Sequence, residues 1–199
     1  MSYRILVVCT GNICRSPMGE IVLRSRLIER GLTGIQVGSA GISDEEAGRS
    51  VDTRAQRVLA EAGYSTHARN LAHKVRIDEL QDADLVLAMT TGHARQLRPR
   101  MDKAEADLAR LHLWREFDGS TPFNPDGVFG TGGVLAEGGT AHVQRGGYSD
   151  YYSSDHDLDV PDPWFGGQSG FYDTLRVVES GADGIIAALP QIFGGSEQV

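Results

Sequence analysis

Tyr3-Arg-Ile-Leu-Val-Val8, then Cys9-Thr-Gly-Asn-Ile-Cys-Arg15-Ser16, then Pro17-Met18-Gly19-Glu20-Ile21-Val22 is the run that decides the fold. Its first part is apolar and β-branched, the pattern of a strand buried in a parallel sheet. Its last part opens with Pro17, which suits the first turn of a helix because the missing N–H is not needed there. A strand, a tight loop and a helix N-terminus gather backbone N–H groups around one concavity. Such a nest binds an anion, and the helix dipole reinforces it.

Two side chains make this anion site a candidate reaction site. Cys9 opens the loop as a potential nucleophile, and Arg15 closes it with a planar fork of donors suited to phosphate oxygens. The guanidinium and the dipole both favour the thiolate form of Cys9. A bound phosphate would then present its phosphorus to a sulfur anion, an arrangement for phosphoryl transfer through a covalent intermediate. The plainer alternative is that Cys9 and Cys14 are inert small hydrophobes in a βα turn.

The rest of the composition narrows the class. At 199 residues, 40% of them apolar, the chain is expected to form a single globular domain over 1–199. A net charge of -8 with no basic stripe argues against nucleic-acid or membrane partners. Two cysteines, both in the loop, are too few for a disulfide framework. With no signal-like apolar region at the start and no run near the ~20 residues of a membrane span, a cytoplasmic location is expected.

Along the chain, Met18, Ile21, Val22 and Ile28 recur at helical spacing through Arg30, and Gly31 is placed to end that helix. Ile35-Gln-Val37 reads as a second strand leading into a Gly38-Ser39-Ala40-Gly41 turn. Val51, Ala55, Val58, Leu59 and Ala62 form an amphipathic stripe closed by Gly63. Ala83–Met89 is a third strand, and Thr90 caps a helix predicted to run to about Leu97, ahead of Pro99. A fourth strand follows at Leu111–Trp114. Alternating strands and helices predict a three-layer α/β fold, a four-stranded parallel sheet with helices on both faces. The phosphate loop after the first strand then lies at the strands' carboxyl edge.

From about 117 to 160 the chain is rich in Gly, Asp, Ser and Tyr, and no helical or alternating period persists. A loop this long is usually functional or disordered. Its composition reads as a flexible segment; its glycine runs lack the Lys-Ser/Thr context of a nucleotide site. Phe171, Leu175, Val178, Ala182, Ile185 and Leu189 then share one face of a final helix that Pro190 is expected to end, before a frayed tail at about 194–199.

Cleaving a phosphate monoester needs an acid to protonate the leaving oxygen. Asp118, Asp126, Asp150, Asp155, Asp157, Asp159 and Asp162 are all available, and composition does not choose among them.

The run Val8-Cys9-Thr10-Gly11-Asn12-Ile13-Cys14-Arg15-Ser16-Pro17 strongly resembles the signature of the low-molecular-weight protein tyrosine phosphatases. The resemblance extends over roughly Arg4–Trp114 and Val160–Leu189. It implies that Cys9 is the nucleophile and that Arg15 and the loop Thr10, Gly11, Asn12, Ile13, Cys14 and Ser16 hold the phosphate. Asp159-Val-Pro161-Asp162-Pro163-Trp164-Phe165-Gly166 is similar to the family's acid-bearing segment. It therefore implies Asp162 as the general acid, with Trp164 and Phe165 walling the substrate ring. Ser39 and His67 are implied as supports of Asn12; His73, His93, His112, His142 and His156 receive no role. Ser16 would assist Cys9 as a leaving group, and Cys14 can form a reversible disulfide with Cys9.

Against the family pattern the 117–160 stretch reads as an insertion, a lid or partner surface feeding the Asp162 segment. The implied partners are phosphotyrosine-containing proteins, with no metal or cofactor, and the oligomeric state is left open. Rival readings are an arsenate reductase, which needs cysteines this chain lacks, a protein-arginine phosphatase, and a phosphate-binding pseudoenzyme acting through its insertion. The arginine-specific pattern carries threonine where this chain has Ile13.

Overall fold

The fold is organised by the two-residue period of its strands. In the computed structural model, which describes residues 2–66, 71–140 and 157–194, β1 (Tyr3–Cys9) runs through the middle of the sheet. Ile5, Val7 and Cys9 face one core, while Leu6 and Val8 face another on the opposite side. Strands β2 (Ile35–Gly41), β3 (Leu85–Ala88) and β4 (Leu111–Leu113) complete a four-stranded parallel sheet in the order β2-β1-β3-β4. Val8 pairs with Ala40 on one side and Ala88 on the other, so the loops after β1 and β3 leave the same edge side by side. That edge is where the strand order reverses and a crevice opens.

Helices cover both faces, as the alternation of elements predicts. α1 (Arg15–Glu29) and α5 (Gln168–Ile192) pack on the Ile5, Val7 and Cys9 side, with α2 (Thr53–Glu61) against α5. α3 (Ile77–Asp82), a short helix without a clear sequence signal, and α4 (Thr91–Lys103) pack on the Leu6 and Val8 side.

Three boundaries differ from the sequence expectation. α4 continues through Pro99 to Lys103, because Leu97 and Met101 are both fully buried on its inner face. Their burial outweighs the one backbone hydrogen bond that proline forfeits. α5 likewise carries Pro190 within its last turn and ends at Ile192, with Leu189 buried beneath it. Gly38–Gly41 is no turn but the second half of β2, paired in register to Cys9↔Gly41. A Cβ on Gly41 would sit 2.6 Å from the Thr10 carbonyl oxygen, so glycine is what lets β2 run this close to the phosphate loop.

Phe117–Thr140 forms a succession of turns laid against β4 and α4. Val128 donates its backbone N–H to the Leu111 carbonyl and Leu135 to that of Val128; both side chains are buried in the second core. Leu158 and Val160 are buried as the chain returns to the sheet.

Candidate active site

The loop between β1 and α1 is held from outside by its carbonyls. Those of Cys9, Thr10 and Ile13 accept backbone N–H groups from Ile42, Ser43 and Asp52 at 2.9, 3.0 and 2.8 Å. Each peptide plane that turns its oxygen outward turns its N–H toward the concavity. Asn12 sits at φ 57°, the left-handed conformation from which backbone nests are built. α1 begins at Arg15 with no side-chain cap, so its first N–H groups also face this space unspent.

A buried hydrogen-bond chain fixes the loop's shape. Asn12 Nδ2 donates to Ser39 Oγ at 2.9 Å and to Ser16 Oγ at 3.0 Å. Ser39 donates in turn to Glu20 Oε2 at 2.6 Å, and Glu20 is itself buried and bonded to Arg24. The Asn12 Oδ1 accepts the backbone N–H of His73 at 3.2 Å. Ser39 thus stands where the family resemblance implies, on β2 beside the loop. His67 lies outside the described residues. Glu20 and His73 escape sequence reasoning; the one available signal was an acidic side chain beside the apolar stripe of α1.

Ser16 Oγ lies 3.0 Å from Cys9 Sγ and 3.2 Å from the Ala40 carbonyl oxygen. Its single proton can serve only one of them. With Cys9 as a thiol, that thiol donates to Ser16 and Ser16 to Ala40; with Cys9 as a thiolate, Ser16 turns its proton to the sulfur. Cys14, one residue before Arg15, is buried. Burial, then the negative charges of Asp52, Cys9 and Asp162, push its thiol far up, and Arg15 only partly opposes them. That shift disfavours the thiolate of Cys14.

Arg15 is almost wholly buried and spans the loop's ends. One Nη2 donates to Asp162 Oδ2 at 2.8 Å and to Thr10 Oγ1 at 3.3 Å. Asp162 is brought there across 147 residues by anchors on the preceding segment. Asp159 Oδ1 accepts the Thr91 N–H at 2.6 Å at the start of α4, and Val160 donates to the Met89 carbonyl at 2.8 Å. Thr174 Oγ1 of α5 lies 3.1 Å from the Pro161 carbonyl oxygen and 3.0 Å from that of Gly170, which share its one proton, and Asp162 Oδ1 accepts the Trp164 N–H at 3.1 Å.

The other candidate acids are placed elsewhere. Asp118 pairs with Arg115, Asp126 accompanies a turn at Asn124, Asp157 is exposed in a turn, and Asp159 is the helix anchor. Asp150 and Asp155 lie outside the described residues. Among the described aspartates only Asp162 bonds to Arg15.

Beyond Asp162 the segment opens to solvent. Trp164 is 42% exposed and Phe165 90%. Phe165 is therefore not an anchor packed on the core. Arg54 holds the near end: it grips Asp52 with two donors at 3.0 and 3.1 Å, and its guanidinium carbon lies 5.5 Å from the Trp164 ring centroid and 4.6 Å from that of Phe171. Burial works to raise the Asp52 carboxyl, and the side-chain and backbone bonds at Arg54 outweigh it, holding the group below its usual range.

Residues 4–122 match the family model for low molecular weight phosphotyrosine protein phosphatases. The low molecular weight protein-tyrosine-phosphatase of Streptomyces coelicolor is 36% identical over 197 residues, 98% of either chain, so the 117–160 stretch is not extra length peculiar to this chain. A protein-arginine-phosphatase of Geobacillus stearothermophilus is 38% identical over 147 residues, 73% of this chain and 86% of its own. The crystal structure of YfkJ from Bacillus subtilis shares the fold with a TM-score of 0.71 over 96% of each chain, at 23% identity. With its phosphate loop after β1 and a family match over more than half its length, this chain belongs to the low molecular weight phosphotyrosine protein phosphatases, a family of phosphoric monoester hydrolases.

Proposed function

We propose that the protein hydrolyses phosphotyrosine in protein substrates through a cysteinyl-phosphate intermediate. The observation that carries this reading is the 2.8 Å contact between Arg15 and Asp162, which sets a carboxyl group at the mouth of the loop that holds Cys9. An incoming phosphate takes over the Arg15 donors and frees that carboxyl for proton transfer.

In the first step the Cys9 thiolate forms the S–P bond as the P–O bond to the phenol breaks, and Asp162 gives its proton to the leaving oxygen. Arg15 and the inward N–H groups hold the equatorial oxygens, where charge is greatest in the transition state. In the second step Asp162, now a carboxylate, takes a proton from water as that water attacks phosphorus. Cys9 leaves as a thiolate that Ser16 stabilises by turning its hydroxyl proton to the sulfur. Trp164 and Phe165 flank the substrate ring, and soluble phosphoproteins are the substrates, met in the cytoplasm.

The arginine-phosphatase reading draws on the Geobacillus relative. Ile13, apolar where the arginine-specific pattern carries threonine, favours the aryl ester. Release of p-nitrophenol from p-nitrophenyl phosphate under reducing conditions tests the chemistry, with turnover expected for the native protein and none for Cys9→Ser. Paired phosphotyrosine and phosphoarginine peptides test the substrate. Faster turnover of the arginine peptide would reverse the assignment, and a folded, reduced native protein without turnover would end the hydrolase reading for this chain.

A further inference from the structure

His93, which carries no role in the sequence reading, is buried in the first turn of α4, with Nε2 2.9 Å from Thr10 Oγ1. Thr10 follows the nucleophile directly, and the same oxygen accepts Arg15 Nη2 at 3.3 Å. The other ring nitrogen, Nδ1, is buried with no hydrogen-bond partner among the described residues.

We propose that His93 is a positioning residue of the phosphate site, donating from Nε2 to Thr10 Oγ1 so that the Thr10 hydroxyl proton is turned into the site as a donor to a phosphoryl oxygen. This rests on the phosphatase reading for its role in turnover. A guanidinium only donates, so Arg15 fills one acceptor position of Thr10. If His93 also donates, both lone pairs of the hydroxyl oxygen are used, and its one hydrogen must point away from both nitrogens, on the side open to ligand.

The orphaned Nδ1 decides which tautomer is present. A proton on Nδ1 would bury an N–H with no acceptor, whereas a bare lone pair there is the lesser penalty. An imidazolium would bury that same N–H and add a second cation beside Arg15. Burial first, and then Arg15, drive the ring toward its neutral form. The neutral Nε2–H tautomer leaves the fewest buried groups unpaired, and it makes Thr10 a donor. The opposite tautomer would make the imidazole an acceptor and consume the Thr10 proton inside the protein. The backbone nest would then act without a side-chain hydroxyl donor at this position.

Two experiments test this, and the first needs no turnover. Long-range proton–nitrogen correlation spectra of histidine-labelled native protein at neutral pH read the tautomer directly, with the signal assigned by its loss in His93→Gln. The Nε2–H pattern is expected; the Nδ1–H pattern or an imidazolium overturns the proposal.

The second experiment measures inorganic phosphate affinity and kcat/KM for single and double variants. His93→Leu is expected to weaken both about tenfold, the scale of one lost donor to a charged group. His93→Gln, whose amide can donate from a similar position, should recover most of that loss. Thr10→Val should match His93→Leu, and the double variant should be no worse than Thr10→Val alone. Additive losses, or no rescue by glutamine, would overturn the coupling. A native protein without turnover whose phosphate binding still depends on His93 would reject the hydrolase reading and keep this inference. An active enzyme indifferent to His93→Leu would reject this inference alone.

Discussion

The phosphate loop and the acid segment meet at one ion pair, yet they are built in opposite ways. Cys9 to Ser16 is contiguous, mostly buried, and fixed by a chain of hydrogen bonds running from Glu20 through Ser39 and Asn12 to Ser16. Asp159 to Gly166 is pinned at its start, by Thr91, Met89 and Thr174, and at its end by Arg54, which donates to the Gly166 carbonyl at 3.3 Å; between these it opens to solvent at Trp164 and Phe165. The loop must present a fixed array of donors to a charge that changes shape only slightly. The acid must deliver a proton and then collect one, beside a group that enters and leaves. A rigid cradle, and a carboxyl on a segment pinned at its ends and open to solvent between them, answer these two requirements.

Asp162 is where loss of one side chain costs most. Asp162→Asn should keep the fold and the loop while lowering kcat on a phosphotyrosine peptide by about 10²–10⁴-fold, the usual contribution of a general acid. The loss should be smaller on p-nitrophenyl phosphate, whose leaving group needs less protonation; equal losses on both would mean that Asp162 acts by charge alone.

Thr174→Val separates anchoring from chemistry. It removes the hydroxyl proton that the Pro161 and Gly170 carbonyls share, with little change of shape, at an expected cost of about 1 kcal/mol in denaturant stability. kcat should fall several-fold while inorganic phosphate affinity is unchanged. If phosphate affinity fell as well, the two regions would not be mechanically separate.

At the exposed end, Phe165→Ala should raise KM for phosphotyrosine peptides several-fold, without effect on stability or on turnover of small aryl phosphates.

The smallest effect is a pH dependence of stability on the loop side. His93 is held neutral by burial and then by Arg15, so its folded pKa lies well below the ordinary value. The unfolded chain then binds more protons, and stability rises with pH wherever this group titrates. Its contribution is full above the unfolded pKa of about 6.5 and is lost as pH falls below that value toward the folded one. His93→Gln should flatten the stability profile on that acidic side, measured by urea melts across pH.

Legibility followed the same division. The sheet and the loop were readable because their information is local: β1 declares itself by its apolar run, and Cys9 and Arg15 are six residues apart. Asp162 stood among seven aspartates and was separable only by resemblance, since its selection depends on tertiary anchors such as Thr174. His93 and Glu20 were invisible for a related reason. A lone histidine in a helix and a glutamate beside an apolar stripe acquire meaning only when β1 and β2 bring Thr10 and Ser39 against them. Pro99 and Pro190 misled because local backbone rules were weighed without the burial of Met101 and Leu189.

The most direct test of the central claim is a rapid acid quench of the native protein reacting with p-nitrophenyl phosphate, followed by peptide mass mapping. The covalent account predicts one phosphate on Cys9 during turnover, with more of it trapped when Asp162→Asn slows hydrolysis of the intermediate. Turnover without any adduct on Cys9, or turnover retained in Cys9→Ser, would contradict it.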